Sequence, residues 1–214
     1  MATTQRTQVN DVVLIRHAQS EWNRAGRFTG WADPALTALG REEARRAAAA
    51  LRDRGFQFDR VYSSRLLRAR ETATIVLEGL GQRPDGIVED WRLNERHYGA
   101  LQGEDKAAMT MRAGGDQVWR WRRGYRDLPP MLTHDDPRHP VNQAQWSDID
   151  RRQLPGSESL AMVRGRVMDF WQKEIAPRVA AGERLLLASH GNTLRALLMG
   201  LGEMSVEAAN LRGL

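Results

Sequence analysis

Short apolar runs alternate with longer amphipathic stretches along most of this chain. Brief runs rich in Val, Ile and Leu that end at a small or polar residue are typical of buried parallel strands. The runs that meet this description are Val12–Arg16, Arg60–Ser63, Ile87–Glu89 and Leu185–Ser189. Stretches with apolar residues at helical spacing separate them, and strand followed by helix is the order of α/β proteins. We therefore predict a three-layer α/β/α fold, with a mostly parallel sheet between two layers of helices.

Helix start and stop signals bound the amphipathic stretches. Serine, threonine and asparagine are good N-caps, and glycine or proline marks the end of a helix. The predicted helices run from Thr37 to Gly55, from Ser64 to Gly81, from Ser157 toward Pro177, and onward from Asn192.

An insertion at about 103–154 breaks the alternation. It is rich in Trp, Arg, Pro, His and Asp and has periodicity for one short helix only. Loops of this length in compact domains are usually functional or disordered. Because the insertion follows Glu95 and contains Trp119–Arg126, where aromatic rings alternate with guanidinium groups, we expect it to form a lid over a site.

Composition narrows the class of function. The length suits a single domain over residues 1–214. The 32 basic and 27 acidic residues are interleaved, as on solvated helix faces, so no nucleic-acid partner is expected, although Trp119–Arg126 is the one stretch that resembles a base- or phosphate-binding patch. Cysteine is absent, which excludes disulfides and thiolate chemistry. No apolar run approaches the roughly 18 residues of a membrane span, so we expect a cytoplasmic protein without membrane contact.

Two histidines stand at matching positions, directly after predicted strands. His17 follows the first strand and His190 the last, and ligands in open α/β sheets bind at the carboxyl ends of the strands. Histidine titrates near neutrality, and Arg16 lies beside His17, so this pair indicates chemistry on an anionic group. A phosphoryl-accepting histidine needs such surroundings. The alternative for His17 is a core histidine bonded to backbone.

Two further residues favour phosphoryl transfer. Arg68, near the start of a predicted helix, is placed to bind a phosphate through two of its guanidinium nitrogens. Arg65 and Arg70 are better explained as solvent-exposed helical arginines. Glu95 follows the third strand, and a carboxyl screened from water has a raised pKa and can exchange a proton with a substrate hydroxyl. An ion pair with Arg96 is the alternative for Glu95.

The remaining candidates are groups that bind anions. Amides at a helix start after His190 hold phosphate well, and a glycine such as Gly30 lets backbone approach a ligand closely, although an ordinary turn also explains it. Lys106, Arg122 and Arg123 form a cationic group suited to a second phosphate or a carboxylate, with surface solvation as the alternative.

Five segments together resemble the cofactor-dependent phosphoglycerate mutases, a branch of the histidine phosphatase superfamily. The segment Leu-Asn-Glu-Arg-His-Tyr-Gly-Ala-Leu-Gln-Gly is far more specific than Arg-His alone, and an insertion with Trp-Arg-Arg-Gly is a mutase feature. The segments are 16–17, 27–31, 93–103, 117–124 and 189–196.

The resemblance implies an isomerase of glycolysis and gluconeogenesis. It implies that the enzyme interconverts 3-phosphoglycerate and 2-phosphoglycerate through phosphohistidine and 2,3-bisphosphoglycerate, without a metal, as a homodimer or homotetramer. His17 is then the phosphoryl acceptor, Glu95 the proton donor and acceptor, and His190 an electrostatic partner, with Arg16 and Arg68 in the phosphate pocket. The substrate-binding residues implied are Ser20, Asn23, Thr29, Gly30, Arg96, Tyr98, Lys106, Arg122, Arg123, Gly191 and Asn192.

The chain departs from the family pattern in two places. Ala18-Gln19 stands where these mutases usually carry Gly-Glu, which predicts a more positive pocket and tuned activity. The chain stops at Asn210–Leu214, where relatives continue through a further strand and a tail. We therefore expect the C-terminal edge strand to be missing, an open sheet edge, and more loss of phosphoryl groups to water.

Two other functions remain open at this point. A histidine phosphatase that hydrolyses bisphosphoglycerate or another small phosphomonoester has the same fold and nucleophile. A catalytically inactive binding module is the alternative from a different class. Phosphate on His17 after incubation with bisphosphoglycerate discriminates against the binding module.

Overall fold

The predicted strands form one parallel sheet. The computed structural model describes residues 12–205 and 208. Within them, β1 (Val12–Arg16), β2 (Arg60–Ser63), β3 (Ile87–Glu89) and β4 (Leu185–Ser189) pair in the order β1-β4-β2-β3. Each pair is parallel. The sequence prediction of all four strands is confirmed at both ends.

The register brings the ends of three strands to one edge of the sheet. The backbone N–H of His17 donates to Ser189 O at 2.9 Å, and that of Ser64 donates to Ala188 O at 3.1 Å. His190 is the next residue along β4. His17, Ser64 and His190 therefore leave the sheet side by side at its carboxyl edge.

The helices lie on both faces of this sheet. α6 and α7 are joined by a π-helical stretch, Trp171–Ile175. The helices are α1 (Glu21–Arg24), α2 (Ala38–Asp53), α3 (Leu67–Gly79), α4 (Lys106–Ala113), α5 (Gly115–Arg123), α6 (Leu160–Phe170), α7 (Ala176–Ala180) and α8 (Gly191–Gly200). Short 3-10 turns occur at Pro84–Gly86, Trp91–Leu93, Gly99–Leu101, Pro140–Asn142, Ala144–Trp146 and Arg151–Gln153.

Alternate residues of β4 enter two different cores. Leu185 and Leu187 pack with α6 and α8, whereas Leu186 and Ala188 pack with α2 and α3. A strand buried on both faces is apolar throughout, which is why its sequence shows no alternation. The three-layer α/β/α prediction is confirmed.

Two predicted helix starts are wrong. Thr37 caps α2 as predicted, because its hydroxyl accepts from Gly40 N at 3.0 Å. Ser64 does not cap α3, which begins at Leu67, and α6 is capped by Ser159 rather than Ser157. The Ser64 hydroxyl instead contacts His190, at the carboxyl edge of the sheet.

The insertion contains two helices, α4 and α5, and an irregular part that is fixed to the domain. Trp146 is 2% exposed and its ring centroid lies 4.9 Å from that of Trp31. Arg65 pairs with both oxygens of Asp148, at 2.9 and 2.8 Å, and lies over the Trp146 ring. The solvated role expected for Arg65 is therefore wrong, since this side chain anchors the insertion.

β1 and β3 are the edge strands of the sheet within the described residues. Residues 210–214, on which the prediction of a missing edge strand rests, lie outside them, and the single-domain assignment also stays a prediction. None of the helices that the structure describes is both long enough and apolar enough to cross a membrane.

Candidate active site

The two strand-end histidines face each other. The ring centroids of His17 and His190 are 4.9 Å apart, with an angle of 55° between the ring planes. Both side chains are buried, with His17 6% and His190 0% exposed. The structure thus brings together the pair that the sequence singled out.

His17 presents a lone pair on Nε2. Its Nδ1 lies 2.8 Å from Ala18 O, and since a carbonyl only accepts, Nδ1 carries the hydrogen. The Arg68 Nε group approaches Nε2 at 3.4 Å. Burial, and then the charges of Arg68 and Arg16, hold the pKa of His17 well below 6.5. The imidazole is therefore neutral at neutral pH, which is the form a nucleophile requires.

Ser64 orients His190, a contact that sequence reasoning missed. The Ser64 Oγ lies 2.7 Å from His190 Nε2 and also accepts from Leu66 N at 3.2 Å. His190 Nδ1 is buried without a hydrogen-bond partner among the described residues. Burial, followed by the charge of Arg68, lowers the pKa of His190 well below 6.5. A phosphoryl oxygen bound beside His17 fits this nitrogen, because it supplies a partner and an opposing charge.

Arg68 is a buried cation beside His17. Its Nη1 donates to Ala32 O at 2.9 Å and its Nη2 to Gly30 O at 2.8 Å. Gly30 has a φ of +59°, which a residue with a side chain rarely adopts. Burial lowers the pKa of Arg68 to about 10, with Glu95 opposing the shift, so the guanidinium stays charged at neutral pH.

His17 opens onto a cleft whose charged lining is almost entirely cationic. Glu95 is the one carboxylate among the lining residues, and its Oε1 accepts from Arg96 N at 2.8 Å. Burial and then neighbouring cations lower the pKa values of Lys106 and Arg123. Such a site favours a ligand with several negative groups. The lining residues are Arg16, His17, Asn23, Arg27, Phe28, Thr29, Gly30, Arg68, Glu95, Tyr98, Lys106, Arg122, Arg123, Gly191, Asn192 and Arg195.

Most of the predicted site residues line this cleft, and three do not: His190, which is fully buried beside His17, Ser20 and Arg96. Ser20 caps α1, where its hydroxyl contacts Asn23 Oδ1 at 3.0 Å. Arg96 is fully buried, and its guanidinium lies over the Tyr98 ring and donates to the carbonyls of Trp121 and Gly124. These contacts suit residues that support the lining, and substrate binding by Ser20 and Arg96 stays a prediction.

Arg195 is a lining residue that the sequence analysis did not select. It follows Asn192 by three residues on α8, so both side chains lie on one face of the helix. Arg195 Nη1 donates to Asn192 Oδ1 at 3.3 Å, and Asn192 Nδ2 donates to the Tyr98 hydroxyl at 3.3 Å. Helical spacing from Asn192 is the signal that identifies Arg195. Arg27 and Phe28 were also missed, although they directly precede Thr29.

The side chain of Gln19 does not enter the cleft. Its Oε1 accepts from the Thr37 hydroxyl at 2.8 Å, and its backbone N–H donates to Glu43 at 2.9 Å. Position 19 faces the start of α2, and the expectation of a more positive pocket stays a prediction. In the described part of the chain, no group of three or more His, Asp or Glu side chains is placed to hold a metal ion.

A buried, neutral histidine at the carboxyl edge of a parallel sheet, beside a buried arginine and a second histidine, is an arrangement suited to phosphoryl transfer. The chain belongs to the histidine phosphatase superfamily, branch 1, whose family model matches residues 12–138 and 131–213. Within that superfamily it falls among the 2,3-bisphosphoglycerate-dependent phosphoglycerate mutases, as its similarity to curated proteins shows.

Two curated relatives carry that mutase name. The protein from Nitratidesulfovibrio vulgaris (strain DSM 19637 / Miyazaki F) is 48% identical over 200 residues, which cover 94% of this chain and 80% of that protein. The protein from Hamiltonella defensa subsp. Acyrthosiphon pisum (strain 5AT) is 43% identical over 199 residues, which cover 93% of this chain and 80% of that protein.

The fold also matches solved structures of the superfamily. A mycobacterial glucosyl-3-phosphoglycerate phosphatase, solved with VO3, superposes with a TM-score of 0.65 at 28% identity. The match covers 94% of this chain and 86% of that one. Mutases and phosphatases thus share this architecture, so the fold alone does not separate them.

Proposed function

We propose that this chain is a 2,3-bisphosphoglycerate-dependent phosphoglycerate mutase, an isomerase of glycolysis and gluconeogenesis. The observation that carries the proposal is the neutral, buried His17, whose Nε2 faces a cleft lined with cations and one carboxylate. Relatives with this activity in their names, at 43% and 48% identity, support it. The substrates are 3-phosphoglycerate and 2-phosphoglycerate, and 2,3-bisphosphoglycerate primes the enzyme.

His17 and Glu95 carry the chemistry in this proposal. When His17 Nε2 accepts a phosphoryl group, the P–O bond breaks and Glu95 gives a proton to the departing alkoxide. In the reverse step Glu95 takes the proton of a substrate hydroxyl while that oxygen attacks the phosphorus on His17. Transfer to C2 and then back from C3 leaves 2-phosphoglycerate, and the enzyme is phosphorylated again.

The surrounding charges stabilise the transferring group. Negative charge spreads over the equatorial phosphoryl oxygens during transfer, and donors fixed at that position lower the barrier. In this proposal Arg16, Arg68 and His190 supply those donors. The approach of Arg68 Nε to His17 Nε2 at 3.4 Å and the 4.9 Å between the two imidazole centroids support it. His190 gains a proton more easily once the phosphoryl anion lies against it, since its pKa is held down by burial and by cations.

The cations that the insertion adds to the cleft favour a mutase over a simple phosphatase. Lys106, Arg122 and Arg123, on α4 and α5 of the insertion, add cations beyond those that surround His17. A bisphosphorylated carboxylic acid has anionic groups at both ends, and both ends must be bound in turn. This placement also makes nucleic-acid binding by Trp119–Arg126 a weaker reading, because two of its arginines line the cleft.

A phosphatase remains the second candidate. The observation that favours it is the likeness to a solved phosphatase at 28% identity over nearly the whole chain. It would use the same nucleophile, with water as the final acceptor from His17, on bisphosphoglycerate or another small phosphomonoester.

One assay distinguishes the two functions. Interconversion of 3-phosphoglycerate and 2-phosphoglycerate is measured with and without 2,3-bisphosphoglycerate, together with release of inorganic phosphate. We expect interconversion that depends on the primer, acid-labile and base-stable phosphate on the protein, and loss of both in His17→Ala. The matched control is His134→Ala, since His134 is exposed.

Each contrary outcome has a clear meaning. Activity unchanged in His17→Ala overturns the assignment of the nucleophile. Phosphate release faster than interconversion favours the phosphatase, and protein that takes up no phosphate favours a binding module. Assembly as a homodimer or homotetramer, cytoplasmic location, independence of metal and lack of nucleic-acid or membrane partners are further predictions of the mutase assignment.

A further inference from the structure

The segment that carries Glu95 is held by hydrogen bonds at almost every residue. Ser189 Oγ donates to Leu93 O and Thr193 Oγ1 donates to Asn94 O, both at 2.7 Å. The Glu95 carbonyl accepts from Trp31 Nε1 at 2.7 Å. These donors come from β4, α8 and the loop after α1, so three parts of the fold converge on three consecutive residues.

A buried ion pair next to this segment takes no part in the chemistry proposed above. Arg166 Nε lies 2.7 Å from Glu158 Oε1, and Arg166 Nη2 lies 2.9 Å from Glu158 Oε2. The side chains are 7% and 4% exposed. Neither residue lines the cleft, so the pair has no path to the substrate.

The remaining hydrogen bonds of the pair go to the backbone on both sides of Glu95. Arg166 Nη2 donates to Glu95 O at 3.0 Å, and Arg166 Nη1 donates to Arg92 O at 2.7 Å. Glu158 Oε2 accepts from His97 N at 2.9 Å, and Glu158 N donates to His97 O at 2.9 Å. The pair therefore contacts the backbone before and after Glu95. Arg166 lies on α6, and Glu158 directly precedes Ser159, the N-cap of α6.

The backbone held in this way sets the direction of the Glu95 carboxyl. Glu95 Oε1 accepts from Arg96 N. That N–H belongs to the peptide between residues 95 and 96, which lies between the backbone groups that Arg166 and Glu158 contact. A rotation of the 95–96 peptide would carry the carboxyl with it. Buried ion pairs contribute little net stability, because desolvation offsets their attraction, so fixing a geometry is a better reason for this one.

We propose that Glu158 and Arg166 are positioning residues for proton transfer by Glu95. They hold the 92–97 backbone so that the Glu95 carboxyl stays at the cleft, near the oxygen that exchanges its proton. The inference rests on the proposed function, because it assumes that Glu95 moves this proton. It adds to that function two residues that act through Glu95 and not on the substrate.

The first test is a pair of conservative variants with a matched control. Arg166→Lys keeps the charge but cannot reach Glu158 and both carbonyls, and Glu158→Gln keeps the shape but loses the charge. We expect kcat to fall about 10- to 100-fold in each, since small displacements of a reacting group cost this much, with KM changed less than about 3-fold. Asp169→Asn is the control, because Asp169 links α6 to Arg92 at 2.9 Å without contact to Glu95 or His97.

The second test separates positioning from general damage. In a Glu95→Gln background, Arg166→Lys should lower kcat by less than about 2-fold, because the group it positions is already gone. General damage to the fold would lower kcat by the same factor in both backgrounds. Equal factors, or kcat unchanged in Arg166→Lys, would overturn the proposal. If Arg166→Lys does not fold, as judged by circular dichroism, Glu158→Gln replaces it in the same comparison.

The outcome is separable from that of the proposed function. If the wild-type protein fails to interconvert phosphoglycerates, the mutase assignment is wrong, and the four proteins of the second test are compared on β-glycerophosphate hydrolysis. The departing alkoxide there needs a proton from the same carboxyl. Loss of rate in Arg166→Lys that disappears in the Glu95→Gln background then still supports the positioning role, and equal factors reject it.

Discussion

Burial disfavours the charged forms of several titratable side chains in and beside the cleft. Burial lowers the pKa values of His17, His190 and Arg68. Arg195 shows the same effect, since burial and then the charge of Arg123 lower its pKa to about 10. A bound anion stabilises the charged form of each of these side chains. The free energy that burial costs these charges is therefore offset when a phosphoryl group binds, which favours binding of such groups.

Arg195→Gln tests this relation between folding and binding. The change removes one cation from the cleft and keeps a side chain able to donate to Asn192. We expect kcat/KM to fall roughly 30- to 1000-fold, by analogy with the 2 to 4 kcal/mol lost when one oxyanion donor is removed. We expect the thermal midpoint to stay the same or rise, because the lowered pKa shows that folding disfavours this charge. A lowered midpoint with unchanged kcat/KM would assign Arg195 a structural role instead.

Site residues were predictable from the sequence where a chemically reactive or charged side chain directly follows a predicted strand or begins a predicted helix. His17 and His190 follow apolar runs directly, and Arg68 lies at the start of the helix after another run. Ser64 was not predictable, because a hydroxyl at a strand end fits a helix cap as well as a contact to a distant imidazole. Only the parallel register, which places Ser64 beside His190, decides between them.

At the level of elements, the strands were predictable and the insertion was not. β4 is apolar throughout because both of its faces are buried, and a short apolar run reports that directly. The insertion has two helices where one was expected. Its irregular part is fixed by single long-range contacts, such as those of Trp146 and Arg65, and such contacts leave no periodic trace in the sequence.

The anchor of the insertion gives a prediction for stability. Trp146→Ala should lower the free energy of unfolding by about 3 to 5 kcal/mol, since it leaves a large cavity beside Trp31 and Trp91. Asp148→Asn should cost no more than about 1 kcal/mol, because the Asp148 side chain is 66% exposed and water screens its pair with Arg65. Urea unfolding of both variants measures the difference. A loss in Asp148→Asn as large as that in Trp146→Ala would show that the ion pair holds the insertion as strongly as the buried ring does.

At the scale of the whole molecule, buried neutral histidines make the fold sensitive to acid. Burial lowers the pKa of His97 to about 4, while the attraction of nearby Glu158 opposes the shift. Between pH 6.5 and 4 the unfolded chain binds a proton at this residue and the folded chain does not. The contribution of His97 to stability is therefore complete above pH 6.5 and is lost as the pH falls toward 4. His17 and His190 act in the same direction.

His97→Gln isolates this effect. Glutamine keeps an acceptor for Gly99 N, which lies 3.0 Å from His97 Nδ1, and does not titrate. From its shift, His97 accounts for about 2 kcal/mol of the free energy of unfolding lost between pH 8 and pH 5. Urea unfolding at both pH values should therefore show a loss smaller by about that amount in His97→Gln than in wild type. His134→Gln, at an exposed position, should leave the loss unchanged. The same loss in His97→Gln as in wild type would place the acid sensitivity in other groups, because the carboxylates common to both proteins cancel in the comparison.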